Sequence, residues 1–261
     1  MKRLKLSLLL LSILSVGMTF QSCDDDNDNY YYYPINRPNA IVTVKPEGYG
    51  QKFFLQLDDS TTLTPLNMTR SPYGSKEVRA FVNFSYAEQQ NDKRNFNVYV
   101  NWMDSILTKQ TAPDLGTQND LKYGDDPVEI GTSDWVTIAE DGYLTLSFKT
   151  RWGGTRPHYV NLVTGSNPDD PYEVTFYHNA DGDVNGYWGY GIVAFKLDKL
   201  PDTNGKTVDL TLKWKSFNGD RKVTFKYCTR KSSTASAKAV VAPTEYMKNL
   251  DKPDVPPTAC I

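Results

Sequence analysis

The most explicit chemical spacing in the chain is Asp181, Asp183 and Asn185, within Asp181-Gly-Asp-Val-Asn-Gly186. Side-chain oxygens on alternate residues, with glycine at the turn, are how an EF-hand-type loop opens around Ca2+. The twelfth position of such a loop calls for a bidentate Glu, and Ile192 stands there, so a polar turn between strands is the competing reading. His158 and His178 are the only histidines, and either could act as a general base. Neither comes with a Gly-x-Ser-x-Gly elbow, and no phosphate-cradling glycine loop opens a helix. His178 also keeps step with Val174 and Phe176, which suits a hydrogen-bonded core or rim histidine. Carboxylates at strand ends are the material of a glycosidase, whose pair must stand about 5–10 Å apart. A sequence does not measure that separation. Two histidines and three cysteines would be nearly exhausted by one tetrahedral zinc site.

A second candidate is the aromatic-glycine stretch Gly186-Tyr-Trp-Gly-Tyr-Gly191. It places Tyr187, Trp188 and Tyr190 on an expected rim, and Trp152, ahead of Gly153 and Gly154, offers a second wall. Flat rings stack on the C–H faces of sugars, so these four residues form a candidate glycan platform. Packing of the rings at the sandwich edge or a domain interface is the alternative. One stacked ring holds a sugar at only about millimolar strength, ~4 kcal/mol, so a platform needs two rings on one side. Cys228 and Cys260 could form a disulfide in an oxidising compartment or remain two free thiols.

The N-terminus reads as an address. Lys2, Arg3 and Lys5 precede an apolar run from Leu6 to Val16 that is too short for the ~20 residues of a membrane-spanning helix. Ser22 and Cys23 follow closely, as at a bacterial lipoprotein signal, although Phe20 and Gln21 depart from the usual box. Residues 1–22 are therefore expected to be a signal peptide and Cys23 the lipidated residue; a conventional signal cut near Ser22 is the alternative. Acyl chains on Cys23 would anchor the protein in a bilayer, at about 0.8 kcal/mol per buried CH2. The acidic run Asp24, Asp25, Asp26 and Asp28 resembles the export tag of outer-membrane, surface-displayed lipoproteins; a solvated spacer on a periplasmic-facing protein is the alternative. Removal of residues 1–22 takes away three basic and no acidic residues and moves the formal charge from −2 to −5.

These candidates must be held by strands. Aromatics make up 13% of the 261 residues, which favours sheets, and 29 basic against 31 acidic residues leave no surplus for neutralising phosphates, so nucleic acid is not expected as a partner. Apolar residues alternate with polar ones at Phe53–Leu57, Val78–Tyr86, Phe96–Trp102, Leu144–Phe148, Val208–Trp214 and Val223–Tyr227. Period two with one apolar face describes half-buried antiparallel strands. The expected fold is all-β. A turn-rich break at residues 108–123 divides it into a small OB-like barrel, 38–112, and an antiparallel β-sandwich, 113–230. Residues 23–37, with the run Tyr30–Tyr33, read as a tether, and the proline-bearing stretch 231–261 as a tail. Asp141–Gly142, Asp181–Gly182 and Asn204–Gly205 are turn signals of the hairpin type.

Several segments together resemble the NigD-like lipoprotein family: Ala40-Ile-Val-Thr-Val-Lys-Pro46, Phe54-Leu-Gln-Leu-Asp-Asp-Ser-Thr-Thr-Leu63, Tyr73-Gly-Ser-Lys-Glu-Val-Arg-Ala80 and Asn101-Trp-Met-Asp-Ser-Ile-Leu107. So do Tyr123-Gly-Asp-Asp-Pro-Val-Glu-Ile130, Asp134-Trp-Val-Thr-Ile-Ala-Glu-Asp-Gly-Tyr-Leu144, and the pair Leu200-Pro-Asp-Thr-Asn-Gly-Lys-Thr-Val208 and Leu212-Lys-Trp-Lys-Ser-Phe217. The resemblance implies an N-terminal OB-like domain and a C-terminal β-sandwich. It implies an association with bacteriocin loci and brings no catalytic residues. The expected protein is a non-enzymatic binding module for an unknown protein or glycan. A glycosidase, or a bacteriocin-associated or envelope-assembly factor, is the alternative.

Overall fold

The computed structural model describes residues 35–48, 52–88 and 92–230. Cys23, the acidic run, Tyr30–Tyr33, Cys260 and the tail 231–261 lie outside the described residues.

Five strands, β1 (Ala40–Glu47), β2 (Lys52–Gln56), β3 (Thr62–Pro65), β4 (Val78–Tyr86) and β5 (Asn95–Ser105), close into a barrel in the order β1-β2-β3-β5-β4. All neighbours run antiparallel except β3 and β5. Their alternation buries Val42, Val44, Leu55, Leu63, Val82 and Val98 completely. Full burial of one such side chain stabilises by about 1.5–3 kcal/mol. The alternation fails at one residue. An irregularity between Asn83 and Phe84 shifts the β4–β5 register, so that Met103 packs on the barrel core and Trp102 turns outward. Bulges of this kind reverse the face of everything beyond them. Trp102 therefore does not share a face with Val98 and Val100, and its indole N–H donates to the Ile35 carbonyl.

The chain enters the second half at Leu107, ahead of the expected break. β6 (Leu107–Gln110) pairs with a strand of one sheet and β7 (Ala112–Pro113) with a strand of the other, so the polar linker fastens both layers. A 3-10 turn at Gly116–Gln118 and the helix α1 (Asn119–Tyr123) follow. Then come β8 (Glu129–Ile130), β9 (Ile138–Glu140), β10 (Tyr143–Trp152), β11 (Tyr159–Thr164), β12 (Glu173–Asn179), β13 (Tyr187–Lys196), β14 (Val208–Ser216) and β15 (Gly219–Tyr227). One sheet has the order β6-β13-β10-β8, with β9 also on β10; the other has the order β15-β14-β12-β11-β7. The layers are mixed rather than purely antiparallel, because β6, β7 and the β12–β14 pair run parallel. Leu144, Leu146 and Phe148 meet Leu162, Phe176, Leu210 and Leu212 between the sheets.

All three expected turns place both central residues at positive φ, with Asp141 at 48° and Gly142 at 75°. Asp141–Gly142 joins the paired strands β9 and β10, whereas Asp181–Gly182 carries the chain from one sheet to the other. Cys228 lies just past β15, half-buried with its sulfur 3.5 Å from Thr203 Oγ1.

The barrel sits on the outer face of β10 and β13. The outward pairs Tyr143/Lys196, Thr145/Ala194 and Ser147/Ile192 begin that face. Tyr143, Ala194 and Ile192 pack there with Ile41, Phe81 and Ile106 and with Trp135 and Val136 of the β8–β9 loop. Two further outward pairs, Lys149/Tyr190 and Arg151/Trp188, remain beyond this cluster.

Candidate functional site

Those two uncovered pairs form the floor of a groove of about 770 Å3. Residues 131–134 make one wall and the β14–β15 turn, with Phe217 and Asn218, the other. The floor follows from strand alternation: Trp188 and Tyr190 are two residues apart on β13, as Lys149 and Arg151 are on β10. Trp188 and Tyr190 are each 40% exposed on this one face. Phe217 meets Trp188 edge to face, with centroids 5.2 Å apart. Arg151 lies over the Trp188 ring at 4.3 Å and Lys149 at 5.2 Å, both within cation–π range.

The carboxylates of the walls are already engaged. Glu129 Oε1 accepts from Ser216 Oγ at 2.8 Å and from the Phe217 amide at 3.2 Å. Asp134 Oδ1 accepts from the amides of Val136 and Thr137 at 3.1 and 2.9 Å. Glu129 is the cross-strand neighbour of Lys149, yet it turns to the β14–β15 turn instead.

The other two expected platform residues point elsewhere. Trp152 pairs in register with Tyr187, which puts both on the core-side face of the sheet. Trp152 is buried and stacked on His158, so it is no wall of an aromatic platform. Tyr187 is 89% exposed at the strand end, on the opposite side from Trp188. Phe217, Lys149 and Arg151 had no signal as a group: they come from three places that only the strand pairing joins.

The candidate calcium loop does not converge on a point. Asp181 pairs with Arg156 at 3.4 Å, while Asp183 turns inward to accept from the Thr155 amide at 3.1 Å and to approach His158 Nε2 at 3.7 Å. Among the described residues no group of three or more His, Cys, Asp or Glu side chains is placed to hold a metal ion.

Asp183 begins a buried chain of polar groups. His158 Nδ1 and His178 Nε2 stand 2.8 Å apart, and His178 Nδ1 is 3.3 Å from the Asp126 carbonyl. Acceptors stand at both ends of this pair, so two neutral imidazoles can donate to only one of them, and the closer contact, 3.3 Å to the Asp126 carbonyl against 3.7 Å to Asp183, favours the proton on His178 Nδ1. His158 Nδ1 then donates to His178 Nε2, which leaves the His158 Nε2 lone pair facing Asp183. Burial pushes both imidazoles below their ordinary value, His178 to about 4, with His158 adding to the shift. This pair is closed off under Trp152 and belongs to the core of the sandwich.

Two family models match the chain in the order of its two halves. Residues 41–106 match the NigD-like N-terminal OB domain and residues 110–227 the NigD-like C-terminal beta sandwich domain. The chain belongs to the NigD-like family. Among solved structures similar to this NigD-like chain is a Parabacteroides distasonis protein described as toxin-related. It is 38% identical, with a TM-score of 0.61, over 73% of this chain and 92% of that one. A Bacteroides vulgatus protein of unknown function is 20% identical, TM-score 0.57, over 76% of this chain and 94% of its own. A NigD-like immunity protein from Bacteroides caccae is 20% identical, TM-score 0.52, over 76% and 99%. The last two share the fold. Comparison with curated proteins gives no match.

Proposed function

We propose that this NigD-like protein is a non-enzymatic binding module that captures a partner protein in the Trp188–Tyr190 groove. In this reading lipid on Cys23 holds it to the outer membrane, facing the cell surface. One observation carries the choice of a protein partner: the Trp188 face is covered by Arg151 at 4.3 Å. A sugar-stacking ring needs that face free, whereas Trp, Tyr and Arg packed together are the usual makings of a protein–protein hot spot. The toxin-related description of the 38% identical Parabacteroides distasonis protein agrees with a partner-directed role. The Ser22–Cys23 junction after the apolar run supports the anchor.

A photo-crosslinking residue in place of Asn218, on the groove wall, tests this in the source cells. A discrete cross-linked protein is expected, and it should vanish when Trp188 and Tyr190 are both changed to Ala. The glycan reading draws on the shared exposure of those same two rings. Retention on a glycan array that the double substitution abolishes would replace the protein partner with a sugar.

A further inference from the structure

Resting on the reading of this groove as a binding surface, we infer that its ligand is an acidic peptide segment, read by Lys149 and Arg151. Both cations stand on the groove floor, and neither has a carboxylate within ion-pair distance among the described residues. Arg151 makes one long hydrogen bond, 3.4 Å to the Gly186 carbonyl, and the Lys149 ammonium lies over the Trp188 ring at 5.2 Å. Elsewhere on the sandwich Lys213 pairs with Glu173, Lys215 with Asp125 and Lys226 with Asp209, while Lys122, Lys199, Lys206 and Lys222 stand on open surface without an ion pair among the described residues. What sets Lys149 and Arg151 apart is that they share one groove floor with an aromatic ring. The mismatch in the groove is not for want of an acid. Glu129 lies opposite Lys149 in register and is tied to Ser216 and the Phe217 amide instead.

The result is two cations braced by an aromatic ring in a protein whose net charge is negative. A guanidinium stacked on indole keeps its edge free and fixed in direction, the arrangement that suits a bidentate carboxylate. Carboxylates on alternate residues of an extended peptide would meet Lys149 and Arg151, which are themselves two residues apart on β10. The apolar side chains between or beside them would face Tyr190 and Phe217. An acidic polysaccharide offers carboxylates too, but its sugar faces would find the Trp188 ring occupied.

Fluorescence anisotropy with the full chain separates the outcomes. The probes are a labelled decapeptide of alternating Asp and Val, the same peptide with Asn for Asp, and a labelled oligogalacturonate. The acidic peptide should bind at least tenfold more tightly than its amide twin, and weaken as salt is raised. Arg151→Gln and Lys149→Gln should each weaken it about three- to tenfold while leaving the circular dichroism spectrum unchanged. Equal affinity for the two peptides, lost in Trp188→Ala, would overturn the charge reading and leave the binding module standing. Tighter binding of oligogalacturonate with the same two dependences would transfer the groove to an acidic polysaccharide. No binding of any probe at millimolar concentration would overturn the inference, and the Asn218 cross-link would then decide on the groove alone.

Discussion

Trp152 lies flat against His158, with ring centroids 4.1 Å apart and planes 8° from parallel. Two glycines of the 186–191 stretch make room for this residue, one for its indole and one for its backbone. A Cβ on Gly189 would come within 3.1 Å of the Trp152 side chain, and one on Gly186 would overlap the Trp152 carbonyl. The alternation of glycine and aromatic residues therefore makes room for a buried tryptophan on one face while presenting Trp188 and Tyr190 on the other. Trp152→Ala should cost about 3–5 kcal/mol, the range for emptying a large buried aromatic site. Trp188→Ala, at a 40% exposed position, should cost no more than about 1 kcal/mol. Urea unfolding of the two variants checks this, and equal losses would mean that the assignment of faces is wrong.

The histidine pair gives a pH signature that is easy to isolate, because the chain has no other histidines. Buried neutral imidazoles bind protons less readily than those of the unfolded chain. Stability from His178 is therefore fully present above about pH 6.5 and is lost as pH falls toward about 4. The loss is on the order of 3 kcal/mol at most. Glu140 works in the opposite sense. Burial lifts its carboxyl to about 7 against the opposing pull of the Arg79 guanidinium, so its contribution is present below about pH 4.5 and is lost as pH rises through 7. Imidazole NMR resonances should show His178 unprotonated until about pH 4 and neither histidine titrating near 6.5. In Glu140→Gln the acid-side loss of stability should become steeper. An ordinary titration of both imidazoles would show that the pair is open to water.

Much of this architecture was legible in period-two alternation, since each strand has one face in a core. What alternation hides is the effect of pairing. Trp102 is misplaced because a bulge reverses its face, and nothing in Asn101-Trp-Met marks that bulge. Trp152 stands just before Gly153 and Gly154 and Trp188 two residues after Gly186, and only the β10–β13 register separates them onto opposite faces. β6 and β7 are short and parallel, the first mostly polar and the second just Ala112–Pro113, which makes them look like linker. Asp181, Asp183 and Asn185 have calcium-loop spacing, but Asp183 is drawn inward by the Thr155 amide and His158, partners distant in sequence.

On the proposed lipoprotein reading, membrane attachment rests on Cys23. Cys23→Ala should abolish fatty-acid labelling and release the protein from the membrane fraction, because the apolar run alone is too short to anchor it as a spanning helix. Protease shaving of intact cells tests the orientation: cleavage without lysis is expected for surface display. Unchanged labelling of the variant would remove the lipoprotein assignment, and protection until lysis would place the protein on the periplasmic side.

The last prediction concerns the seam between barrel and sandwich. Asp141, at the β9–β10 turn, joins three parts of the chain. Its carboxylate accepts from Lys45 of the barrel at 2.8 Å and is paired with Arg230 at 3.1 Å, while its amide donates to Asp59 at 2.7 Å. Arg230 continues to Glu77 at 2.8 Å, and Glu77 also accepts from the Tyr143 hydroxyl at 2.6 Å. Asp141 itself is almost wholly buried, so removing its charge leaves Lys45 with the Gln56 side-chain carbonyl at 3.3 Å and Arg230 with Glu77 as its remaining carboxylate. Asp141→Asn keeps the size of the side chain and the positive-φ turn, to which Asn is suited. It should cost about 1–3 kcal/mol, less than the ~3–5 of a fully buried pair, because Lys45 and Arg230 both reach solvent. The loss should appear first in the seam: amide exchange should quicken at Ile41, Ile106 and Ala194 while the barrel core around Val42 and Leu55 stays protected. Uniform loss of protection across both halves would show instead that barrel and sandwich unfold as one unit and that Asp141 holds no separable joint.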